Sequence, residues 1–170
     1  MPAKTSISLL IATLFFGASI NADPLAIGAA LPEVSATLET GNTIDLSREG
    51  ASGWILVFFY PKADTPGCTN QACSLRDAYE ALSEMGVRIF GVSRDGIESQ
   101  KKFKKKYALP FHLIADTDKA VIGAFGVPTR FGFSIRQAYL FKDGKLVWRD
   151  LSASTSKQAA DILAFLTDAR

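Results

Sequence analysis

Trp54-Ile-Leu-Val-Phe-Phe-Tyr60 followed by Pro61-Lys-Ala-Asp-Thr65-Pro-Gly-Cys68-Thr-Asn-Gln-Ala-Cys73-Ser-Leu-Arg76 is the stretch on which the reading of this 170-residue chain turns. The first seven residues form an unbroken β-branched and aromatic run, of the length expected for a strand buried on both faces. Pro61 and then Pro66-Gly67 end it. Beyond Gly67, Leu75, Tyr79 and Leu82 recur at helical spacing, with Ala72 and Ala78 as good helix formers, which predicts a helix from about Cys68 to Met85. Cys68 then lies in its first turn, where unpaired backbone N–H groups and the positive end of the helix dipole favour thiolate over thiol. Thr65 can bring a hydroxyl into the same space, as a donor to the sulfur or to an incoming oxygen. Arg76 is eight residues on, too far along the helix to be the direct neighbour of Cys68, so any cation at the sulfur must come from elsewhere in the chain.

Cys68 and Cys73 are the only cysteines. Five residues apart on an ideal helix, their Cα atoms are about 8.7 Å apart, whereas a disulfide normally needs less than about 7 Å. Pairing them requires local unwinding, so the pair reads as a switch between a helical dithiol and an unwound disulfide, with Cys68 attacking first and Cys73 resolving. A static structural bridge fits this geometry poorly. Two cysteines and one histidine do not supply four metal ligands without suitably spaced carboxylates. Neither a C-x-x-C-H haem motif nor a C-x-x-C exchange motif is present.

Pro61-x-x-x-Thr65-x-x-Cys68 matches the active-site motif of peroxiredoxins, and Thr65-Pro-Gly-Cys68-Thr-x-x-Ala-Cys73-x-x-Arg76-Asp77 resembles the peroxiredoxin Q, or bacterioferritin comigratory protein, subfamily. The resemblance runs from about Leu31 through the last helix. It implies a thioredoxin-like fold and a thiol-dependent peroxidase that reduces hydrogen peroxide and organic hydroperoxides, serving antioxidant defence without a cofactor or metal. It makes Cys68 the peroxidatic cysteine, oxidised to a sulfenic acid, and Cys73 the resolving cysteine of an intrachain disulfide. Thr65 and Pro61 shape the peroxide pocket. The family's distant arginine precedes a strand that reads like Gln137-Ala-Tyr-Leu-Phe141, which places it at Arg136; Arg130 is the rival. Gln71 stands where the subfamily more often carries glutamate, altering local charge. The implied electron donor is a thioredoxin-like dithiol protein.

Composition allows one globular domain: 48% of residues are hydrophobic, 21% charged, and the net charge is +2. So small a charge argues against a nucleic-acid surface. Residues 1–22 differ from the rest. Lys4 is their only charge, Ile7 to Ile20 is small and apolar, and Asn21-Ala22 offers a cleavage point, so the segment reads as a secretory signal peptide and 23–170 as the mature domain. About fourteen apolar residues fall short of the roughly twenty that span a bilayer, though an uncleaved membrane tether is the alternative. Export predicts a periplasmic protein without lasting membrane association. Small size and the intrachain pair lean towards a monomer.

The remaining chain alternates strands and helices. Val34 to Leu38 and Thr43 to Leu46 flank a hairpin turn, and Ser47 to Gly53 reads as a polar loop. Val87 to Ser93 is a second buried strand, and Ile97 to Tyr107 a helix. Leu113 to Ala115 is a short strand, and Lys119 to Phe125 a helix. Arg136 to Phe141 and Leu146 to Arg149 pair through Asp143-Gly144. Ser156 to Thr167 is a final helix capped by serine. The order predicts an α/β, thioredoxin-like fold: a central mixed β-sheet with helices on both faces. Lys101-Lys-Phe-Lys-Lys-Lys106 reads as a solvated helix face with Phe103 and Tyr107 turned inward. His112 reads as a partly buried structural histidine rather than a base. The segment Gly126 to Phe133 reads as an exposed connection, with a pocket wall at Phe131 or Phe133 as its functional alternative. Two other functions stay open on residues alone: thiol:disulfide exchange on exported proteins, and a binding protein whose surface changes with redox state.

Overall fold

The computed structural model describes residues 23–169; the expected signal peptide lies outside the described residues. Strands β1 (Ser35–Thr37) and β2 (Thr43–Asp45) form a small antiparallel hairpin, followed by a one-turn helix α1 (Leu46–Glu49). Then come β3 (Trp54–Phe59), α2 (Pro66–Asp77), α3 (Tyr79–Glu84), β4 (Val87–Ser93), α4 (Ile97–Lys106), β5 (His112–Ala115) and α5 (Ala120–Ala124). A two-residue hairpin, β6 (Thr129–Arg130) and β7 (Phe133–Ser134), precedes β8 (Gln137–Lys142), β9 (Lys145–Asp150) and α6 (Gln158–Asp168).

The main sheet has the order β5-β4-β3-β8-β9, with β3, β4 and β5 parallel and β8 and β9 antiparallel to their neighbours. It is the mixed sheet expected. Central β3 has Ile55 to Phe59 wholly buried, which only a strand covered on both faces can do. Its side chains alternate between two cores. Leu56, Phe58 and Tyr60 meet α2, α3, α4 and α6 through Ala72, Leu75, Leu82, Phe103, Ile162 and Leu166. Ile55, Val57 and Phe59 meet α5, α1 and the first hairpin through Val121, Ile122, Leu46 and Ala36. Gly91 in β4 is required by this packing: a Cβ there would fall 2.6 Å from Phe58 Cζ and 2.9 Å from a Leu113 methyl.

Three expectations change. The polar loop from Ser47 contains α1, because Asp45 Oδ1 accepts from the N–H groups of Ser47 (2.9 Å) and Arg48 (3.4 Å) and Leu46 is buried beneath them, enough to hold one turn. The helix expected over 68–85 breaks at Ala78 (φ −97°, ψ 5°). The break leaves Leu75 and Leu82 both buried and packs the Tyr79 ring against Phe111. The last helix begins at Gln158 rather than Ser156, and the serine that serves it is Ser154, whose Oγ accepts from Ser156 and Lys157 N–H groups in the preceding turn. His112, read as partly buried, is about half exposed; it stacks on Phe90, and its Nδ1 lies 3.1 Å from Glu39. Its role is still structural, because Glu39 beneath it also binds Lys104 Nζ (2.8 Å) and the Leu113 N–H (2.9 Å). Burial opposes ionisation of Glu39, but Lys104, Leu113 and His112 together hold it below the ordinary carboxylate value.

Candidate active site

Strand β3 leads into the site through the connection from Tyr60 to Thr65. This connection is pinned from three sides. Ser134 Oγ donates to the Tyr60 carbonyl (2.9 Å), the Ala63 N–H donates to Asp95 (2.7 Å), and Asp64, in the left-handed region at φ 59°, accepts from Lys106 Nζ (2.8 Å) and Tyr107 Oη (2.7 Å). Asp64 is thereby held below the ordinary carboxylate range, Lys106 first and Tyr107 second. Behind it runs a buried polar chain. Tyr60 Oη donates to Gln100, Gln100 Nε2 donates to Ser93 Oγ (2.9 Å), and Ser93 Oγ donates to Asp95 (2.7 Å). Burial pushes the Tyr60 phenol up, so it remains a neutral donor.

Pro61 opens this connection and Thr65 ends it as the residue preceding α2. The Thr65 hydroxyl does not point at the sulfur as a donor; it donates to the Lys62 carbonyl (2.9 Å), which leaves its lone pairs as acceptors. Pro66 occupies the first helical position, where its missing N–H costs nothing. Among the described residues no side chain caps α2, and no acidic residue lies in its first turn, so this end keeps the positive potential of an uncapped helix N-terminus. Cys68 sits there, 2% exposed.

Arg136, just before β8, supplies the cation: its Nη2 lies 3.5 Å from Cys68 Sγ. Its Nη1 donates to Gln71 Oε1, and Gln71 Nε2 donates to Gln158 Oε1 of α6. Gly67 makes room for the guanidinium, since a Cβ there would stand 3.3 Å from Nη2 and 3.4 Å from a Thr155 methyl. Arg130 lies away from this group on the β6–β7 hairpin, its guanidinium over the Phe131 ring. That ring is 87% exposed, so Phe131 does not wall a pocket at the sulfur.

Cys73 is half-buried on the same helix as Cys68, and both are free thiols. Arg76 is remote from Cys68, as its spacing requires. It binds Asp77 and the Tyr107 carbonyl (3.0 Å), tying the end of α2 to α4. The geometry therefore joins Cys68, Arg136 and Gln71 directly, with Thr65 and Pro61 on the connection beside them and Cys73 beyond reach while α2 is intact. Sequence reasoning missed Gln158, Asp95 and Ser134. Each acts through a contact at least 32 residues distant, which no local pattern reveals. Among the described residues no cluster suited to a metal ion is found, and no helix is long and apolar enough to cross a membrane.

Comparison with known proteins agrees with this fold. The profile of the AhpC/TSA family matches residues 27–149. Peroxiredoxin Bcp of Bacillus subtilis is 35% identical over 150 residues, covering 84% of this chain and 95% of that one. A putative chloroplastic peroxiredoxin Q of rice is 38% identical over 122 residues, covering 71% of this chain, but the match spans only 56% of the rice protein's length. Among solved structures, peroxidoxin BcpB of Mycobacterium tuberculosis superposes with a TM-score of 0.79 at 29% identity, covering 85% of this chain and 97% of that one. The bacterioferritin comigratory protein of Xanthomonas campestris, whose structures were described for alkyl peroxide reduction, gives 0.75 at 28% identity, with 85% and 97% coverage. With its mixed sheet, its cysteine at the mouth of α2 and these matches, the chain belongs to the AhpC/TSA family, on the peroxiredoxin Q/Bcp branch.

Proposed function

We propose that the chain is a thiol-dependent peroxidase acting on hydrogen peroxide and organic hydroperoxides, with Cys68 peroxidatic and Cys73 resolving. The observation that carries this reading is the Arg136 guanidinium placed on the buried Cys68 sulfur at the uncapped start of the helix that also bears Cys73. As thiolate, Cys68 attacks one peroxide oxygen in line. An S–O bond forms, the O–O bond breaks, and the departing oxygen takes a proton to leave as water or an alcohol. The sulfur loses two electrons and becomes a sulfenic acid. Arg136 and the first-turn N–H groups stabilise charge developing on the oxygens, and the Thr65 hydroxyl accepts from the peroxide O–H in a pocket shaped by Pro61.

Residues 68–73 then unwind, and the Cys73 thiolate attacks the Cys68 sulfur. The S–S bond forms as hydroxide leaves and is protonated to water. A thioredoxin-like dithiol protein returns two electrons and two protons by thiol–disulfide exchange. No step needs a cofactor or metal. The relative described for alkyl peroxide reduction supports organic hydroperoxides as substrates. We further propose that the chain is exported to the periplasm after removal of residues 1–22, and works there as a monomer with no lasting membrane association in antioxidant defence. The support is the lone Lys4, the apolar run Ile7 to Ile20 and Ala22.

Peroxide consumption by the protein with a dithiol reductant, beside Cys68→Ser, tests the activity. Loss of consumption in the variant and a Cys68–Cys73 bridge in the oxidised wild type are expected; a bridge without consumption would overturn the proposal. Fractionation of expressing cells, with N-terminal sequencing, tests export.

A further inference from the structure

Gln158 is the first residue of α6, wholly buried, and it has a half-satisfied amide. Its Oε1 accepts from Gln71 Nε2 while its own Nε2 has no partner among the described residues. A buried donor without a partner is costly, and an apolar side chain of the same shape would avoid that cost. The acceptor end accounts for the residue. Arg136 can only donate, so Gln71 must present Oε1 to it; Gln71 Nε2 then points the other way and needs an acceptor, which Gln158 Oε1 supplies. Reversal of the Gln71 amide would set donor against donor at Arg136. The series Gln158, Gln71, Arg136, Cys68 thus has one direction, and it ends with Arg136 Nη2 3.5 Å from the sulfur.

Gln71 also lies between the two cysteines on α2. Bringing Cys68 and Cys73 from about 8.7 Å between Cα atoms to within about 7 Å requires this part of the helix to open. Opening carries Gln71 away from α6 and breaks its bond to Gln158. The bond that aims the arginine in the dithiol state therefore opposes the unwinding that forms the disulfide.

We propose that Gln158 is a positioning residue with two linked effects: through Gln71 it sets Arg136 on the Cys68 sulfur, and it latches α2 closed, slowing resolution by Cys73. The kinetic part rests on the peroxidase reading; the latch on α2 does not. The test follows sulfur oxidation and disulfide formation separately, by rapid mixing of the reduced protein with hydrogen peroxide, acid quench and mass spectrometry. Gln158→Met removes the acceptor at nearly constant volume, and Gln158→Glu keeps an acceptor for Gln71. In Gln158→Met, oxidation should slow and disulfide formation quicken, each by about fivefold, the factor carried by one buried hydrogen bond, and less sulfinic acid should form at high peroxide. Gln158→Glu should oxidise within about twofold of wild type if its acceptor replaces that bond.

Amide hydrogen exchange supplies a second readout. Gln158→Met should speed exchange in α2 more than in α6. Both rates within about twofold of wild type in Gln158→Met, taking one hydrogen bond as the yardstick, or equal loosening of α2 and α6, would overturn the proposal. A wild-type protein that consumes no peroxide would remove the peroxidase reading and the kinetic half with it, while exchange in α2 would still decide the latch.

Discussion

Replacing Arg136 with methionine removes the cation at Cys68 while keeping a long unbranched side chain. A unit charge 3.5 Å from a thiolate is worth about 5 kcal/mol at an effective dielectric of about 20. Partial solvent exposure of the arginine discounts that figure, and the net worth of a hydrogen bond to a charged group is about 1.5–3 kcal/mol. The charge persists on the oxygens of the transition state, so about 2–3 kcal/mol should appear in the barrier, slowing sulfur oxidation by about 30- to 150-fold. Arg136→Lys should fall between, since one ammonium does not reproduce a fork that reaches both Sγ and Gln71 Oε1. The assay is single-turnover mixing of the reduced protein with excess hydrogen peroxide, read as loss of alkylatable Cys68, with thermal unfolding run alongside to confirm folding. A folded Arg136→Met variant that oxidises within about threefold of wild type, against the loss expected for an oxyanion donor, would refute the reasoning that this guanidinium stabilises the reaction.

Three other outcomes are expected. Cys73→Ser should reduce one equivalent of peroxide and then accumulate sulfinic acid at Cys68, measured as added oxygen mass; normal turnover with a dithiol-protein donor would show that Cys73 does not resolve. Gly67→Ala brings a Cβ to 3.3 Å from Arg136 Nη2; displacement of the guanidinium by a few tenths of an ångström should slow oxidation by about threefold to tenfold with little change in thermal stability. Glu39 is held below its ordinary value of 4.5, so the unfolded chain takes up its proton first as pH falls. Its contribution to stability is present above 4.5 and is lost as pH drops through the lower folded value. Glu39→Gln should therefore flatten the acid limb of a denaturant-unfolding series taken from about pH 7 to about pH 3, and an unchanged slope there would refute it.

Elements whose signal is local were legible in the chain. Trp54 to Tyr60 is continuously apolar and became the central strand; Asp143-Gly144 joined the last hairpin; Phe103 turned inward from a face of lysines. Elements that depend on one or two bonds were not. Helix α1 hangs on the Asp45 cap and the burial of Leu46, the break at Ala78 leaves both flanking leucines at permitted positions, and the hairpin at Thr129 to Ser134 is only two residues a side. His112, read as partly buried, lies at the first position of β5 with its ring about half exposed, but its partner Glu39 is 73 residues away and was not legible.

The sequence by itself determined the class of fold, the place of Cys68 at a helix start and the conflict between helix and disulfide, because strand burial, helix starts and Cα spacing along one helix are properties of contiguous residues. Which cation meets the sulfur, which way Thr65 donates, and what holds Gln71 were decided only in three dimensions. Arg136, Gln71 and Gln158 are 65 and 87 residues apart along their two contacts, and only sheet order and the packing of α6 on α2 bring them together. A hydrogen bond depends on tenths of an ångström and on one rotamer; hydrophobic periodicity sets which face is buried but carries no information at that scale.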